Sequence, residues 1–201
     1  MRPRQVSDSD ILSTARRCIL QHGPSVSTNV IAKEVGLSQA ALFKRFGTKD
    51  DLVVQALMPI GAPDWVVHVE AGVDDRPVRD QLRDISRRMS VFFDQMIPCL
   101  AMLRAAFDAR ELMKRHPNPP PVRGRIALTR WFEEATTRGL VREVDAGAAA
   151  QALMGALHGR AFMKHITALE PAHAPPADQD PYVEHLIDVL WRGLAPAVET
   201  P

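Results

Sequence analysis

The sequence predicts an all-α protein, and three observations carry the prediction. No stretch of useful length alternates apolar and polar residues as a half-buried strand would. Nearly every segment between proline or glycine breaks repeats its apolar residues at helical spacing. Residues 27–46 are written almost entirely in the types that a tight corner between two short helices requires. With 201 residues, 46% of them hydrophobic, the chain is long enough for one or two domains and a sizeable core. The predicted division is an N-terminal three-helix domain with a helix-turn-helix over 1–57 and a C-terminal helical body over 58–201.

The first helix is expected over 9–22, with Ile11, Leu12, Ala15, Cys18 and Ile19 along one stripe and Gly23-Pro24 as its stop. Ser27 and Ser38 stand where N-caps are wanted, each placed to accept a bond from the orphaned backbone donors of a short helix. Between them Gly36 takes the left-handed conformation that ends the first helix of the corner, and Ala32 is small enough for the second to cross close by. Ile31, Val35, Leu37, Leu42 and Phe46 face inward, leaving Asn29, Gln39, Lys44 and Arg45 outward. Thr48 caps a fourth helix that begins Lys49-Asp-Asp-Leu52, with two acids near its positive end. Met58 to Pro63 break it.

Beyond the break, 65–69 fits either a helical piece or an apolar lid. A helix is expected from Pro77 to Ile97; Pro98 then starts or kinks the next, which ends near His116, where the proline cluster 117–121 forces an extended loop. A helix over 122–138 follows, closed by Gly139. Asp145 caps a helix rich in alanine and glycine, 171–181 reads as a loop, and 182–194 closes the chain as an amphipathic helix.

Charge is distributed unevenly. The net charge is +1, but up to Ile60 eight basic residues stand against five acidic ones, a net +3 that leaves −2 for the remainder. A basic head on a mildly acidic body suits contact with phosphates. No apolar run reaches the roughly 18 to 20 residues of a membrane span, and no apolar core follows the charges of the N-terminus, so a cytoplasmic protein without a membrane partner is expected. Cys18 and Cys99, assigned to different domains, lack metal or redox spacing and are expected to be small buried hydrophobes. No cofactor and no metal are expected; His158 and His165 share a helical face but have no acidic or cysteine partner at ligand spacing. No cluster of residues carries a catalytic signature, so an enzyme is not expected.

Ile31-Ala32, Gly36-Leu37-Ser38, Leu42-Phe43, Phe46, Lys49 and Leu52, in one unbroken register after a first helix, resemble the DNA-binding domain of the TetR family of bacterial transcriptional regulators. The resemblance runs from about Ile11 to Leu57. It implies a homodimer that binds a double-stranded DNA operator with the N-terminal domain and a small-molecule effector with the C-terminal one, most simply as a repressor. It also implies that the 39–46 helix enters the major groove. Gln39 is then the leading candidate for base contact, its amide matched to adenine, with Asn29, Ala40 and Lys44 beside it. Thr28, Ser38, Arg45 and Lys49 are assigned to phosphates. Phe43 stands where the family commonly has a phosphate-contacting tyrosine; it packs but cannot donate, a loss of roughly 0.5 to 1.5 kcal/mol per half-site. That departure leaves open an alternative, a small-molecule binding protein whose helix-turn-helix no longer binds DNA. Arg2 and Arg4 form either a basic arm or a solvated tail.

In the body, Met89, Phe92, Phe93, Met96, Met102, Phe107, Trp131, Met154, His158 and Phe162 are the candidate lining of an effector pocket suited to a hydrophobic ligand. Ala152, Gly155 and Gly159, with Trp191 and Leu194, are the candidate dimer interface, because small residues on one face allow close helix approach.

Overall fold

A computed structural model describes residues 6–58, 61–108, 120–167 and 180–196, and among these residues it contains nine helices and no strand. The chain divides into two compact units. One takes Met1–Gly61 with Met96–Pro117, the other Ala62–Gln95 with Asn118–Pro201.

The N-terminal unit is built on α1 (Asp8–His22), α2 (Thr28–Val35), α3 (Gln39–Phe46) and α4 (Lys49–Leu57). Its helices start where local chemistry dictates. The Ser7 hydroxyl accepts from the Asp10 backbone N–H at 3.1 Å while the Asp10 carboxylate accepts from the Ser7 N–H, so two orphan donors are satisfied reciprocally. Thr48 and Asp51 repeat the device on α4. Ile11, Ala15, Ile19, Ile31, Leu42 and Leu57 are fully buried in one core. Each large aliphatic among them contributes roughly 1.5 to 3 kcal/mol relative to exposure.

That core also includes the end of a later helix. Pro98, expected to start or kink the next helix, does not start one: α6 (Val78–Ala106) is a single helix that runs through the proline. An interior proline forfeits a backbone hydrogen bond, but Ile97, Cys99 and Leu103 beside it are buried, and their packing outweighs the loss. The expectation that the two cysteines lie in different domains is corrected accordingly: Cys18 and Cys99 are reduced thiols, buried in the same N-terminal core. Burial pushes the Cys99 thiol above its ordinary pKa, as suits a small hydrophobe.

The second unit consists of α5 (Asp64–Glu70), the first part of α6, α7 (Pro120–Thr137), α8 (Ala146–Thr167) and α9 (Pro181–Leu194). The segment 65–69 is thus helical. Helix α7 starts inside the proline cluster expected to be extended, because proline fits a first helical turn. The predicted helix end near His116, the rest of that cluster and most of the 171–181 loop lie outside the described residues. Trp65, Leu82, Met89, Leu128, Trp131, Phe132, Leu153 and Ile187 form the buried interior. Gly124 lets α7 approach α5 closely, since a Cβ there would lie 2.3 Å from the Trp65 ring.

By length and apolar content α6 would also suffice for a membrane span. Its apolar stripe is instead spent on core positions from Leu82 to Leu103, and its first turns carry arginines in ion pairs. Arg83 and Arg87 both bind Glu184 of α9, at 2.9 and 2.6 Å, and Arg79 binds Asp188 one turn on. Lys164 of α8 binds Asp94 of α6 at 2.7 Å, and Arg160 of α8 binds Asp180 at the start of α9.

Candidate nucleic-acid interface

The corner between α2 and α3 is fixed by its own backbone. Ser27 accepts from the Asn29 N–H at 3.3 Å, and Ser38 accepts from the Ala41 N–H at 3.1 Å. Gly36 adopts φ 77°, which lets its own N–H reach Lys33 O and the Leu37 N–H reach Ala32 O at 2.9 Å. This double closure satisfies the last carbonyls of α2 and turns the chain directly into α3. Leu42 and Phe46 anchor α3 in the core, so its opposite face is presented outward by the helical period.

On α3, Ala40, Phe43, Lys44 and Arg45 are exposed and Gln39, its first residue, is half-buried; Asn29 of α2 is exposed as well. The ammonium of Lys44 makes no bond to any described residue. Two other cations are already engaged. Arg45 donates to the Val6 carbonyl at 2.8 Å and pairs with Asp8 at 3.0 Å. Lys49 donates to the Ser25 carbonyl at 2.9 Å. Both bonds tie the corner to neighbouring segments of the same unit, and a phosphate must compete with them. The Ser38 hydroxyl accepts from a backbone N–H and so still carries a proton that it can donate.

Thr28 differs most from its sequence assignment. It is buried, 5% exposed, and its hydroxyl accepts from the Gln39 side-chain amide. Sequence reading also missed Arg16. Its guanidinium donates to Ala56 O at 2.8 Å and Met58 O at 3.4 Å, capping the C-terminal end of α4 and holding it to α1. The available signal was a basic residue beside the buried Ala15 on the apolar stripe of α1. Arg2 and Arg4 lie outside the described residues.

The ten residues expected to line an effector pocket are divided between the two units. Met96, Met102 and Phe107 pack against the core of the N-terminal unit. Phe92, Phe93 and His158 gather around Trp65 in the second unit, with Phe93 edge-on to both Phe92 and His158 at 5.5 Å between ring centroids. Trp131 lies elsewhere in that unit, edge-on to Phe132, and Met89 is fully buried. Met154 is half-buried, and Phe162 is 47% exposed. Trp65, which the sequence did not single out, is 1% exposed, and its indole N–H has no acceptor among the described residues.

A cleft of about 490 Å³ opens instead between α5 and α7, lined by Val69, Ile126 and Trp131 and rimmed by Glu70, Arg123 and Arg130. Arg123 grips Glu70 with two bonds of 2.7 Å, and this pairing holds the Glu70 carboxyl below the usual carboxylate range.

Of the candidate interface residues, Ala152 and Gly155 are exposed on α8, and a Cβ at Gly155 or Gly159 would meet open space. Phe162, Met163 and Ile166 continue the same face at 47%, 53% and 56% exposure. Trp191 is half-buried. Leu194 is buried within the chain, 7% exposed, so it belongs to the interior.

Comparison with known proteins agrees with this arrangement. Residues 11–56 match the family described as bacterial regulatory proteins, tetR family, and residues 80–193 match the AefR-like transcriptional repressor, C-terminal domain. No functionally curated protein matches the chain. Among solved structures, the chain is similar to the TetR family transcriptional regulator PfmR from Thermus thermophilus, at 19% identity and a TM-score of 0.64 over 90% of this chain and 97% of that one. It is similar to the fatty acid degradation regulator FadR from Bacillus halodurans, at 16% identity and a TM-score of 0.65 over 94% and 100%. A TetR family transcriptional regulator from Pseudomonas syringae pv. tomato aligns at 18% identity and a TM-score of 0.61 over 94% and 99%. Identities this low speak to fold alone, but the second family match spans more than half of the chain, and together with the capped corner it leads to one conclusion: the chain belongs to the TetR family of bacterial transcriptional regulators.

Proposed function

We propose that this regulator is a cytoplasmic, dimeric repressor that binds a palindromic operator and is released from it by a small, mostly apolar effector. The observation that carries the DNA-binding half is the outward face of α3. Gln39 stands at its start and Lys44 one turn on, with the Ser38 hydroxyl at its cap, on a helix locked by Gly36, Leu42 and Phe46. Such a face offers an amide for a base edge and a hydroxyl and cations for the backbone. Dimerisation is supported by the uncovered apolar face of α8, where Ala152, Gly155, Gly159, Phe162, Met163 and Ile166 recur at helical spacing, and by Val189 of α9 at 67% exposure. The effector is assigned to the aromatic group around Trp65, whose unpaired indole N–H supplies one orienting donor in an apolar setting.

Selection from random duplex DNA at two salt concentrations tests the reading. The expected result is a palindrome whose half-sites lie about one helical turn, roughly 34 Å, apart, with affinity falling steeply in salt. Absence of any enriched sequence at low salt sinks it. A second reading, a small-molecule binding protein that no longer contacts DNA, is favoured by Phe43 and by the internal bonds of Arg45 and Lys49. It predicts that outcome together with ligand-dependent thermal stabilisation.

A further inference from the structure

The bond between Thr28 and Gln39 joins the first residue of α2 to the first residue of α3, eleven positions apart in the chain. A threonine assigned to phosphate by sequence should present its hydroxyl to solvent. This one is 5% exposed and its oxygen is occupied by the Gln39 amide nitrogen. Gln39 is half-buried and is the residue placed to read a base. A free glutamine side chain has three rotatable bonds and samples many orientations, so holding it costs binding free energy unless something holds it beforehand.

We propose that Thr28 is a positioning residue for base recognition, holding the Gln39 amide edge-outward before DNA arrives; this rests on the operator-binding reading above. The chemistry is specific. A primary amide has two N–H donors and one carbonyl. With the N–H that points away from the carbonyl given to Thr28, the carbonyl and the remaining N–H lie side by side and face out. That pair matches the N6–H donor and N7 acceptor of adenine in the major groove. The converse orientation, in which the Thr28 hydroxyl donates to the Gln39 carbonyl, would turn both N–H groups outward and match the two acceptors of guanine. An amide nitrogen held by the hydroxyl is the arrangement that suits adenine, and the selected base reports which orientation the amide takes.

The experiment uses the full-length protein and the duplex enriched by selection. Affinities are measured for that duplex and for its single-base variants, at several salt concentrations, for the unaltered protein and for T28V, T28S and Q39A. The expected result is an adenine at one position of each half-site, preferred by the unaltered protein, with discrimination there lost in Q39A. T28V keeps the shape but not the acceptor, and should cut discrimination at that same position about fivefold to tenfold. It should leave the other positions and the salt slope unchanged, while T28S restores the preference. Circular dichroism melts of each variant separate misfolding from misreading, and T28A supplies a second deletion of the hydroxyl should valine disturb the first turn of α2.

Three outcomes overturn the inference alone. In the first, T28V and T28A weaken all sequences equally with a shallower salt slope, which is the signature of a phosphate contact. In the second, both discriminate as the unaltered protein does. In the third, guanine is selected where adenine is expected. If the unaltered protein enriches no sequence, the operator reading fails, and this inference fails with it.

Discussion

The two units of this protein are both helical and both have apolar interiors, yet the reach of their longest polar contacts differs, from at most 42 positions in the first to 109 in the second. In the N-terminal unit the helix starts are set by bonds between residues three or fewer apart, as in Ser7–Asp10, Ser27–Asn29, Ser38–Ala41 and Thr48–Asp51. In the second unit local caps recur at Asp145 and Asp180, but charge pairs also bridge distant segments. Arg79 and Asp188 are 109 residues apart, Arg83 and Glu184 are 101 apart, and Arg123 and Glu70 are 53 apart. Local bonds form whenever the helix forms. Bonds between distant segments form only after the helices have packed, and they select which packing persists. A DNA-reading corner needs its shape specified closely, and the first kind of bond provides that. A ligand-binding body can be held by half-exposed charge pairs, each worth little alone.

Substitutions can break or sharpen this contrast. The largest effect is expected at Leu42, fully buried under the corner. Leu42→Ala should destabilise by about 2 to 5 kcal/mol in chemical denaturation and abolish operator binding, because the cavity lies directly beneath α3. An unchanged unfolding midpoint would show that α3 is not anchored as described. Next comes Gly124→Ala, which should destabilise by about 1 to 3 kcal/mol despite alanine's better helix propensity, because the new methyl meets the Trp65 ring. Tryptophan fluorescence should report the ring's displacement; a stabilised variant with an unchanged spectrum would contradict the close approach of α7 to α5.

Asp180 tests the long-range pairs by pH. Burial alone would raise its carboxyl, but the bond and charge of Arg160, with backbone N–H groups of α9, outweigh this and hold it below the usual carboxylate range. A carboxyl with a depressed folded-state pKa adds stability above its unfolded value of about 3.9, and that stability is lost as pH falls through the folded value. Asp180→Ala should therefore cost about 1 to 2 kcal/mol at pH 7, where both cap and ion pair are removed, and progressively less toward pH 2. A pH-independent cost would assign the whole effect to packing. Ser38→Ala is expected to cost about 1 kcal/mol and, unlike Asp180→Ala, to be insensitive to salt, since it removes a neutral cap. The smallest effect is the coupling of Arg83 to Glu184, expected at about 0.2 to 1 kcal/mol in a double-mutant cycle and fading at 1 M salt.

What could be read beforehand follows the same division. Ser27, Gly36 and Ser38 announced the corner because each is required by backbone geometry within a few residues, and the caps fell where expected. The run of α6 through Pro98 was not legible. A proline rule is local, and it was overruled by the burial of Cys99 and Leu103 in a core that residues 11–57 also build. The candidate pocket residues divide between the two units for a related reason. An apolar stripe records that a helix face is covered without recording by which neighbour, so Met96, Met102 and Phe107 went to one core and Phe92 and Phe93 to another group. Thr28 has the composition of a phosphate contact and the environment of a buried acceptor.

The sequence by itself therefore determined the all-α class, the helix-turn-helix and its register, because caps, left-handed glycines and helical periodicity act between residues that are already neighbours in the chain. The tertiary structure alone decided that Cys18 and Cys99 share a core, that Arg79, Arg83 and Arg87 clasp α9, and that Thr28 holds Gln39. Each of these joins elements whose meeting depends on how whole helices pack, and a side chain's type states what it can bond, not what packing will bring to it.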